Sequence, residues 1–442
     1  MGLQDLIVTP VYLLLLYALA YWIRPKVTNR DTRKYFIPGL TVKFVGAIAL
    51  GLVYQFYYDG GDTFTYFHLG SRWIWEAFLV NPYYAFKMIF VAGGEHASEL
   101  FQFSSRIYTY GDPASYFVVR VAGFFDLFTG HTYLATALCF AAISFTGVWA
   151  MYVSFCRFYP TLSSYFAYAI LFIPSIFFWG SGLMKDTLTL GALGLFFFGA
   201  THLFVFKKNI FIAAISILIG FYVLYIVKIY IIICFVPALI FWLFLNYQNR
   251  IRSLIVKIAI GPVLLAIGGL AAGYATLLVS EEHYRYSLEE VAYTAEQTAR
   301  WNYYVSERND GSGYTLGDFD FTPAGLVRKI PLAVITALFR PFLWETRNPV
   351  MLLAALENLV ILILFVRGIF KFRRFNDLEN KKLLILCFSF SLLFSFAIGV
   401  TTYNFGSLVR YKIPMLPFLA AGLIILNFKK HSKNATLSFY HA

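Results

Sequence analysis

The sequence predicts an all-α, polytopic transmembrane bundle of about eleven spans, and three observations lead there. Hydrophobic residues make up 60% of the 442 positions and charged residues only 13%. A soluble domain carries roughly 25% charged residues, so this chain cannot cover itself with a water-compatible surface. Its apolar runs recur at the length of about 20 residues that one bilayer crossing needs. Between them, Lys and Arg gather in short clusters, as they do in cytoplasmic loops. Forty-eight Phe and thirty-two Tyr add an aromatic excess, and Tyr favours the headgroup zone. Length alone would suggest about three soluble domains; the bilayer replaces that arithmetic with one integral-membrane unit over residues 1–442.

The first span is placed at roughly residues 6 to 23. It is too long for a signal peptide and lacks the small-residue cleavage site. Arg24, Lys26, Arg30, Arg33 and Lys34 follow it, which puts the N-terminus outside. The second span, at about 38 to 57, runs outward and opens a first extracytoplasmic loop, residues 58–130. Arg157 closes a span at about 131 to 155, and Lys207 and Lys208 close one at about 184 to 206. The apolar run 209–246 is too long for one crossing and divides near Lys228. Arg250 and Arg252 mark a further cytoplasmic turn, as do Arg367, Lys371, Arg373, Arg374, Lys381 and Lys382, and finally Lys429, Lys430 and Lys433. The remaining spans fall near 256 to 279, 349 to 367, 383 to 400 and 412 to 428, the last three making a C-terminal group within 349–442.

Two stretches do not fit as spans: residues 115–129, with Arg120 and Asp126, and residues 327–345, with Arg328, Lys329 and Arg340. Counting both as crossings would put Lys207 and Lys208 outside, so both are expected to lie as extracytoplasmic interfacial helices. The second belongs to a large extracytoplasmic loop, residues 280–348.

The acidic residues were not used to assign the sides, and they agree with the assignment. Residues 58–130 hold seven Asp and Glu and residues 280–326 hold nine, of twenty-three in the chain. The net charge of +13 therefore reports orientation in a membrane, and no nucleic-acid partner is expected. Cys139, Cys156, Cys234 and Cys387 lie in or beside apolar runs without zinc or disulfide spacing, and read as small core residues.

The polar motifs fall on the outer side. Tyr57-Tyr58-Asp59-Gly60-Gly61-Asp62-Thr63-Phe64-Thr65-Tyr66 places two glycines between two aspartates at the end of a span, so the backbone can turn tightly there. Asp62 or Asp59 can act as a general base, the pair can hold a divalent cation, or both are simply solvated. Pro174 to Asp186 joins two spans through Trp179-Gly180-Ser181-Gly182; free backbone groups near the bilayer need protein or a cavity to satisfy them. Lys185 and Asp186 then start a span, either as an anion-binding lysine or as a helix cap with a snorkelling neighbour. Lys228 interrupts an apolar run at an outer turn. Arg340 faces an anionic headgroup or pairs with Glu345. Arg410 and Lys412, in Arg410-Tyr411-Lys412-Ile413-Pro414-Met415-Leu416-Pro417, open the final span. Positive residues are disfavoured on this side, and arginine's planar fork suits phosphate, so these favour an anionic ligand. In the large loop, Glu289, Glu290 and Glu296 are secondary catalytic candidates.

A span ending in an outer Asp-containing loop, interfacial helices, many further spans and the closing Arg-Tyr-Lys-x-Pro-x-x-Pro segment together resemble membrane glycosyltransferases of the GT-C superfamily. The Gly-Asp-Thr-Phe-Thr-Tyr and Trp-Gly-Ser-Gly-Leu-Met-Lys-Asp stretches are also similar to surface-polysaccharide polymerases. The resemblance implies a GT-C-like fold in a bacterial inner membrane with its active site facing outward. It implies a polyprenyl-phosphate-linked sugar donor and a glycan, lipid or protein acceptor. Asp62 or Asp59 would be the base, and Lys185, Arg410, Lys412 and Arg340 would contact the lipid phosphate. Tyr66, Asp186, Lys228 and Tyr411 would complete the substrate contacts. No metal or other cofactor is assigned; a divalent cation is compatible. The acidic loop here follows the second span, so an extra N-terminal helix is needed, and two glycines separate acids that are adjacent in many relatives.

Two readings of other classes stand beside this one. A transporter or flippase of a lipid-linked anion would place its groups on broken helices and often shows internal repeats, which this sequence lacks. A non-catalytic scaffold subunit of the cell envelope would leave the Asp59–Asp62 turn open to bulk water.

Overall fold

The computed structural model describes residues 2–91, 97–248, 263, 266–270, 274, 304, 313–317, 323–371 and 381–428. The predicted apolar runs become helices because hydrocarbon offers backbone N–H and C=O groups no partner other than the helix itself. Among the described residues no strand forms beyond one isolated bridge between Gly313 and Asn404.

The chain opens with α1 (Leu3–Val27) and α2 (Arg33–Phe56). Five short helices follow: α3 (Asp62–Tyr66), α4 (Arg72–Val80), α5 (Pro82–Phe90), α6 (Phe101–Ser104) and α7 (Pro113–Thr129). Then come α8 (Tyr133–Phe158), α9 (Ser163–Ile170), α10 (Pro174–Trp179) and α11 (Lys185–Ala200), which a π segment extends through Thr201–Phe206. Next are α12 (Ile210–Val227) and α13 (Ile229–Tyr247). The described C-terminal part holds α14 (Pro323–Phe339), α15 (Pro349–Lys371), α16 (Lys381–Thr401), α17 (Phe405–Tyr411) and α18 (Leu416–Phe428).

Eight of these helices are long and apolar enough to cross a membrane: α1, α2, α8, α11 with its extension, α12, α13, α15 and α16. The bent pair α17 and α18, inclined at 71°, makes a ninth if it is one broken span. The protein is an all-helical, multi-pass membrane protein. Where the structure departs from about eleven spans, the causes are local. The crossing placed near 256–279 lies mostly outside the described residues. The crossing expected before Pro174 is instead α9 and α10, interrupted at Leu171–Ile173, because Pro174 holds Ile173 in extended backbone (ψ 125°). The final span begins at Leu416 rather than near 412, after the turn that contains Lys412 and Pro414. The break near Lys228 falls where the sequence placed it, between α12 and α13.

Both expected interfacial stretches contain 17-residue helices, α7 and α14. The second ends at Phe339 instead of running to 345, because Pro341 cannot continue the ladder. Arg340 therefore sits on a turn. Asp112 starts α7: its side chain accepts from the Ala114 and Ser115 amides, both at 3.1 Å, and Pro113 occupies the first turn.

Helices α8 and α11 form the centre of the bundle and pack backbone to backbone. A Cβ at Gly147 would fall 1.8 Å from the Gly191 carbonyl oxygen, and one at Gly194 would fall 2.1 Å from that of Gly147. Small residues let membrane helices approach this closely. Gly147→Leu is therefore expected to destabilise the protein by about 1–3 kcal/mol or more, read as a lowered melting temperature in detergent; an unchanged midpoint would refute this packing. The short helices α3 to α7 bury a separate apolar cluster around Ile74, Met88, Phe103, Val119 and Tyr133, while α1 leaves Leu3, Leu6, Ile7 and Leu14 exposed, as a lipid-facing helix does.

The helix ends sort into two layers. At one end Trp149 Nε1 donates to the Val27 carbonyl (3.1 Å), Arg157 meets His202 (3.3 Å), and Arg367 lies 5.1 Å from the Phe428 ring. At the other end Asp5 accepts from the Leu134 amide (2.9 Å), and Thr63 bonds Tyr133 (2.7 Å). Among the described residues, Arg157 and Arg367 belong to the first layer, and Asp62, Lys185, Asp186, Lys228 and Arg410 to the second.

Candidate functional site

The second layer is organised by Arg410, in the last turn of α17. Its Nη1 donates to Asp62 Oδ2 at 2.7 Å and its Nε to Asp186 Oδ2 at 2.5 Å. On the other side of Asp186, Lys228 Nζ lies 2.9 Å from Oδ1. Four segments far apart in sequence thus converge on one chain of charges: the start of α3, the start of α11, the α12–α13 break and α17. Asp62 is 49% exposed, Arg410 15% and Asp186 3%, so the chain runs from a surface carboxylate to a buried one. Arginine can hold both carboxylates because its guanidinium presents five donors in a rigid fork.

Helix ends place most of these charges with the favourable sign. Asp62, Asp112 and Asp186 occupy helix N-termini and Arg410 a C-terminal end, where the macrodipole stabilises anions and cations respectively; Lys228 lies between the C-terminus of α12 and the N-terminus of α13, where the two dipoles oppose each other. Lys228 lies 4.5 Å from the centre of the Tyr411 ring and 5.8 Å from that of Tyr230, and the ring faces add attraction for a desolvated ammonium.

The acidic turn is shaped by glycine. Gly60 and Gly61 have φ of +132° and +114°, open to glycine but strained for other residues. The Gly60 amide donates to the Tyr54 carbonyl at 2.9 Å, and a Cβ on Gly61 would press on the Tyr54 ring at 2.8 Å. The turn thus closes over Tyr54, which is near enough to Arg410, Asp62 and Asp186 to feel their charge. It aims Asp62 at Arg410 and leaves Asp59 exposed with φ +50°.

Lys185 joins the same layer through another partner. Its Nζ lies 3.4 Å from Asp112 Oδ2. Partial burial alone would raise the Asp112 carboxyl, but Lys185 and the Ala114 and Ser115 contacts outweigh it and hold the group below its ordinary value. A depressed carboxylate stabilises the fold above its unfolded value and loses that contribution as pH falls through the folded one, so this contact is intact at neutral pH.

The other expected residues are elsewhere. Lys412, two positions from Arg410, is fully buried and donates to Asn358 Oδ1 on α15. Its neighbour Glu357 accepts from the Ser175 amide at 2.9 Å. Arg340 pairs with Glu345, with Nε 2.9 Å from Oε1, and lines a separate cleft with Trp344, Arg347 and Phe405. Tyr66 is buried in the apolar cluster of the loop helices. Glu289, Glu290 and Glu296 lie outside the described residues. Among the described residues no three of His, Cys, Asp and Glu gather to hold a metal ion.

Sequence reasoning missed Asp112, Tyr54, Glu357 and Lys43. An Asp-Pro pair opening an apolar helix is a start signal that marks Asp112. Lys43 is a lone cation inside a span, itself a signal of function or internal bonding. It donates to the Gly180 carbonyl at 2.5 Å and to Ser144 Oγ at 3.2 Å, and so satisfies one of the backbone groups that the broken 180–184 segment leaves open.

Compared with known proteins, the chain matches no family model, no curated protein and no solved structure.

Proposed function

We propose that the protein is a membrane glycosyltransferase that moves a sugar from a polyprenyl-phosphate-linked donor to a glycan, lipid or protein acceptor at the extracytoplasmic face. The observation that carries this reading is the Asp62–Arg410–Asp186–Lys228 chain, at the end of the helices opposite the Arg157–His202 contact. In the reaction, an acceptor hydroxyl oxygen bonds to the anomeric carbon as the bond from that carbon to the phosphate oxygen breaks. The bonding pair leaves with the phosphate, and the hydroxyl proton passes to Asp62. Arg410 swings from Asp62 toward the phosphate, which both frees the carboxylate to accept the proton and meets the charge on the leaving group; such placed cations are worth most where charge develops. Lys185 stands beside this path, and the lipid tail lies against the apolar helix faces. Lys412, buried against Asn358, acts from behind by holding the α17–α18 turn. The GT-C-like fold and the bacterial inner membrane belong to this same reading.

A second reading draws on one observation. The 71° bend between α17 and α18 is the kind of broken helix at which carriers bind charged substrates, and Arg410 sits beside it. One experiment addresses both. The purified protein in nanodiscs is titrated with undecaprenyl phosphate, and vesicles containing it are assayed for movement of a labelled polyprenyl-phosphate sugar between leaflets. The transferase reading expects binding that Arg410→Gln weakens at least tenfold, with no movement between leaflets. Saturable movement favours the carrier, and absence of any binding removes both.

A further inference from the structure

Tyr54 has no part in the reaction drawn above, yet the fold fixes its ring closely. It lies two residues before the end of α2. The Gly60 amide holds its carbonyl at 2.9 Å, and Gly61 presses on the ring, where a Cβ would fall 2.8 Å from it. Tyr58 tilts against the same ring with centres 5.3 Å apart. Trp179, the last residue of α10, meets it edge to face at 6.4 Å. The phenolic oxygen lies on the ring axis, so a confined ring confines the hydroxyl.

These neighbours belong to the two segments that carry the acids. Gly61 directly precedes Asp62, and Trp179 leads through Gly180 to Met184 into Lys185 and Asp186. The hydroxyl accordingly sits in the field of Asp62, Asp186 and, first among them, Arg410. It bonds none of the three. Asp186 is met by Lys228 at Oδ1 and by Arg410 at Oδ2, and Asp62 by Arg410 at Oδ2. Among the described residues the Tyr54 hydroxyl has no hydrogen-bond partner, although the residue is only 8% exposed. Polar groups held so deep are nearly always bonded. Tyr133, near enough to feel Tyr54, follows that rule: its hydroxyl meets Thr63 at 2.7 Å.

We infer that the Tyr54 hydroxyl is a ligand contact, donating to an oxygen of the phosphate that Arg410 receives. Phosphate oxygens are acceptors, and a hydrogen bond to an ionised acceptor is roughly twice as strong as a neutral one. A hydroxyl held in place before the ligand arrives also loses little freedom on binding. That the phosphate is the leaving group of a lipid-linked sugar rests on the transferase reading; the contact itself needs only a phosphate. The competing account of Tyr54 as an aromatic anchor in the headgroup zone suits the exposed Tyr57 and Tyr58. It does not suit a ring enclosed beneath a glycine turn.

The test is equilibrium binding to the full chain in maltoside micelles, which carry no phosphate of their own. Undecaprenyl phosphate and inorganic phosphate are titrated separately. Tyr54→Phe removes the hydroxyl and keeps the ring under the turn, so the melting temperature without ligand should match wild type. It is expected to weaken undecaprenyl phosphate binding at least tenfold, as losing a hydrogen bond to a charged group does. Tyr58→Phe, on the adjoining exposed ring, should leave that affinity unchanged. A smaller loss in Tyr54→Phe, or the same loss in Tyr58→Phe, overturns the inference and leaves the transferase reading standing. Inorganic phosphate bound as tightly as the lipid, with the tenfold loss in Tyr54→Phe kept, would uphold the hydroxyl contact and remove the lipid-linked donor. Binding of neither removes both.

Discussion

Asp186→Ala is expected to destabilise the protein by about 3–5 kcal/mol, the range for breaking a buried ion pair from one side. Asp186 is 3% exposed and serves two cations, Lys228 at 2.9 Å and Arg410 at 2.5 Å. Removing it takes from Lys228, itself 2% exposed, the carboxylate that offsets its desolvation. Arg410 keeps Asp62 and is affected less. The expectation separates from a packing defect through a double-mutant cycle. Asp186→Asn with Lys228→Met removes charge from both sides, and should lose less than the two single variants together by about 0.5–3 kcal/mol. Unfolding of the detergent-solubilised protein by heat or denaturant reads all four corners. A loss below about 1 kcal/mol for Asp186→Ala, the usual worth of a surface pair, would mean that water reaches the cluster and that it is not a buried network.

The layout of the bundle was legible because the membrane imposes one constraint on every span. Apolar length and the basic turns gave α1, α2, α8, α11, α12, α13, α15 and α16, and Lys228 marked the break between α12 and α13. Less legible were helices whose ends depend on tertiary partners. The join from Gly180 to Met184 was legible from its glycines, but its partner was not: Lys43, 137 residues earlier, meets the Gly180 carbonyl, and nothing local in the sequence states that. The site divided in the same way. Charged residues at span boundaries were visible one by one, and Asp62, Asp186, Lys228 and Arg410 do converge. That Arg410 and Lys412 part company was not visible, because α17 ends between them at Tyr411: Arg410 meets the carboxylates, and Lys412, in the turn that follows, meets Asn358 on α15. Likewise Arg340 belonged on paper to the same phosphate site, yet the turn after α14 carries it to its own cleft. Asp112 partners Lys185 across 73 residues, a pairing that only the folded chain creates.

Asp62→Asn is expected to lower the rate of sugar transfer by about 10²–10⁴-fold, the contribution of a placed general base, while leaving the fold intact. The fold survives because Asp62 is half exposed and an asparagine carbonyl can still accept from Arg410. The rate falls because a carboxamide cannot take the acceptor's proton. Asp59→Asn is the internal control: Asp59 is exposed at φ +50°, a conformation that asparagine tolerates well, so the turn persists and activity stays near wild type. With membranes supplied with a polyprenyl-phosphate donor carrying radiolabelled sugar, the label leaving the lipid fraction reports the rate, and the donor concentration at half-maximal rate reports binding. Loss confined to kcat assigns Asp62 to an interaction made only in the transition state. A rise in KM alone would instead make Asp62 a binding residue that tunes Arg410. Full activity in Asp62→Asn removes the carboxylate from the chemistry, and with it the proton transfer on which the transferase reading depends.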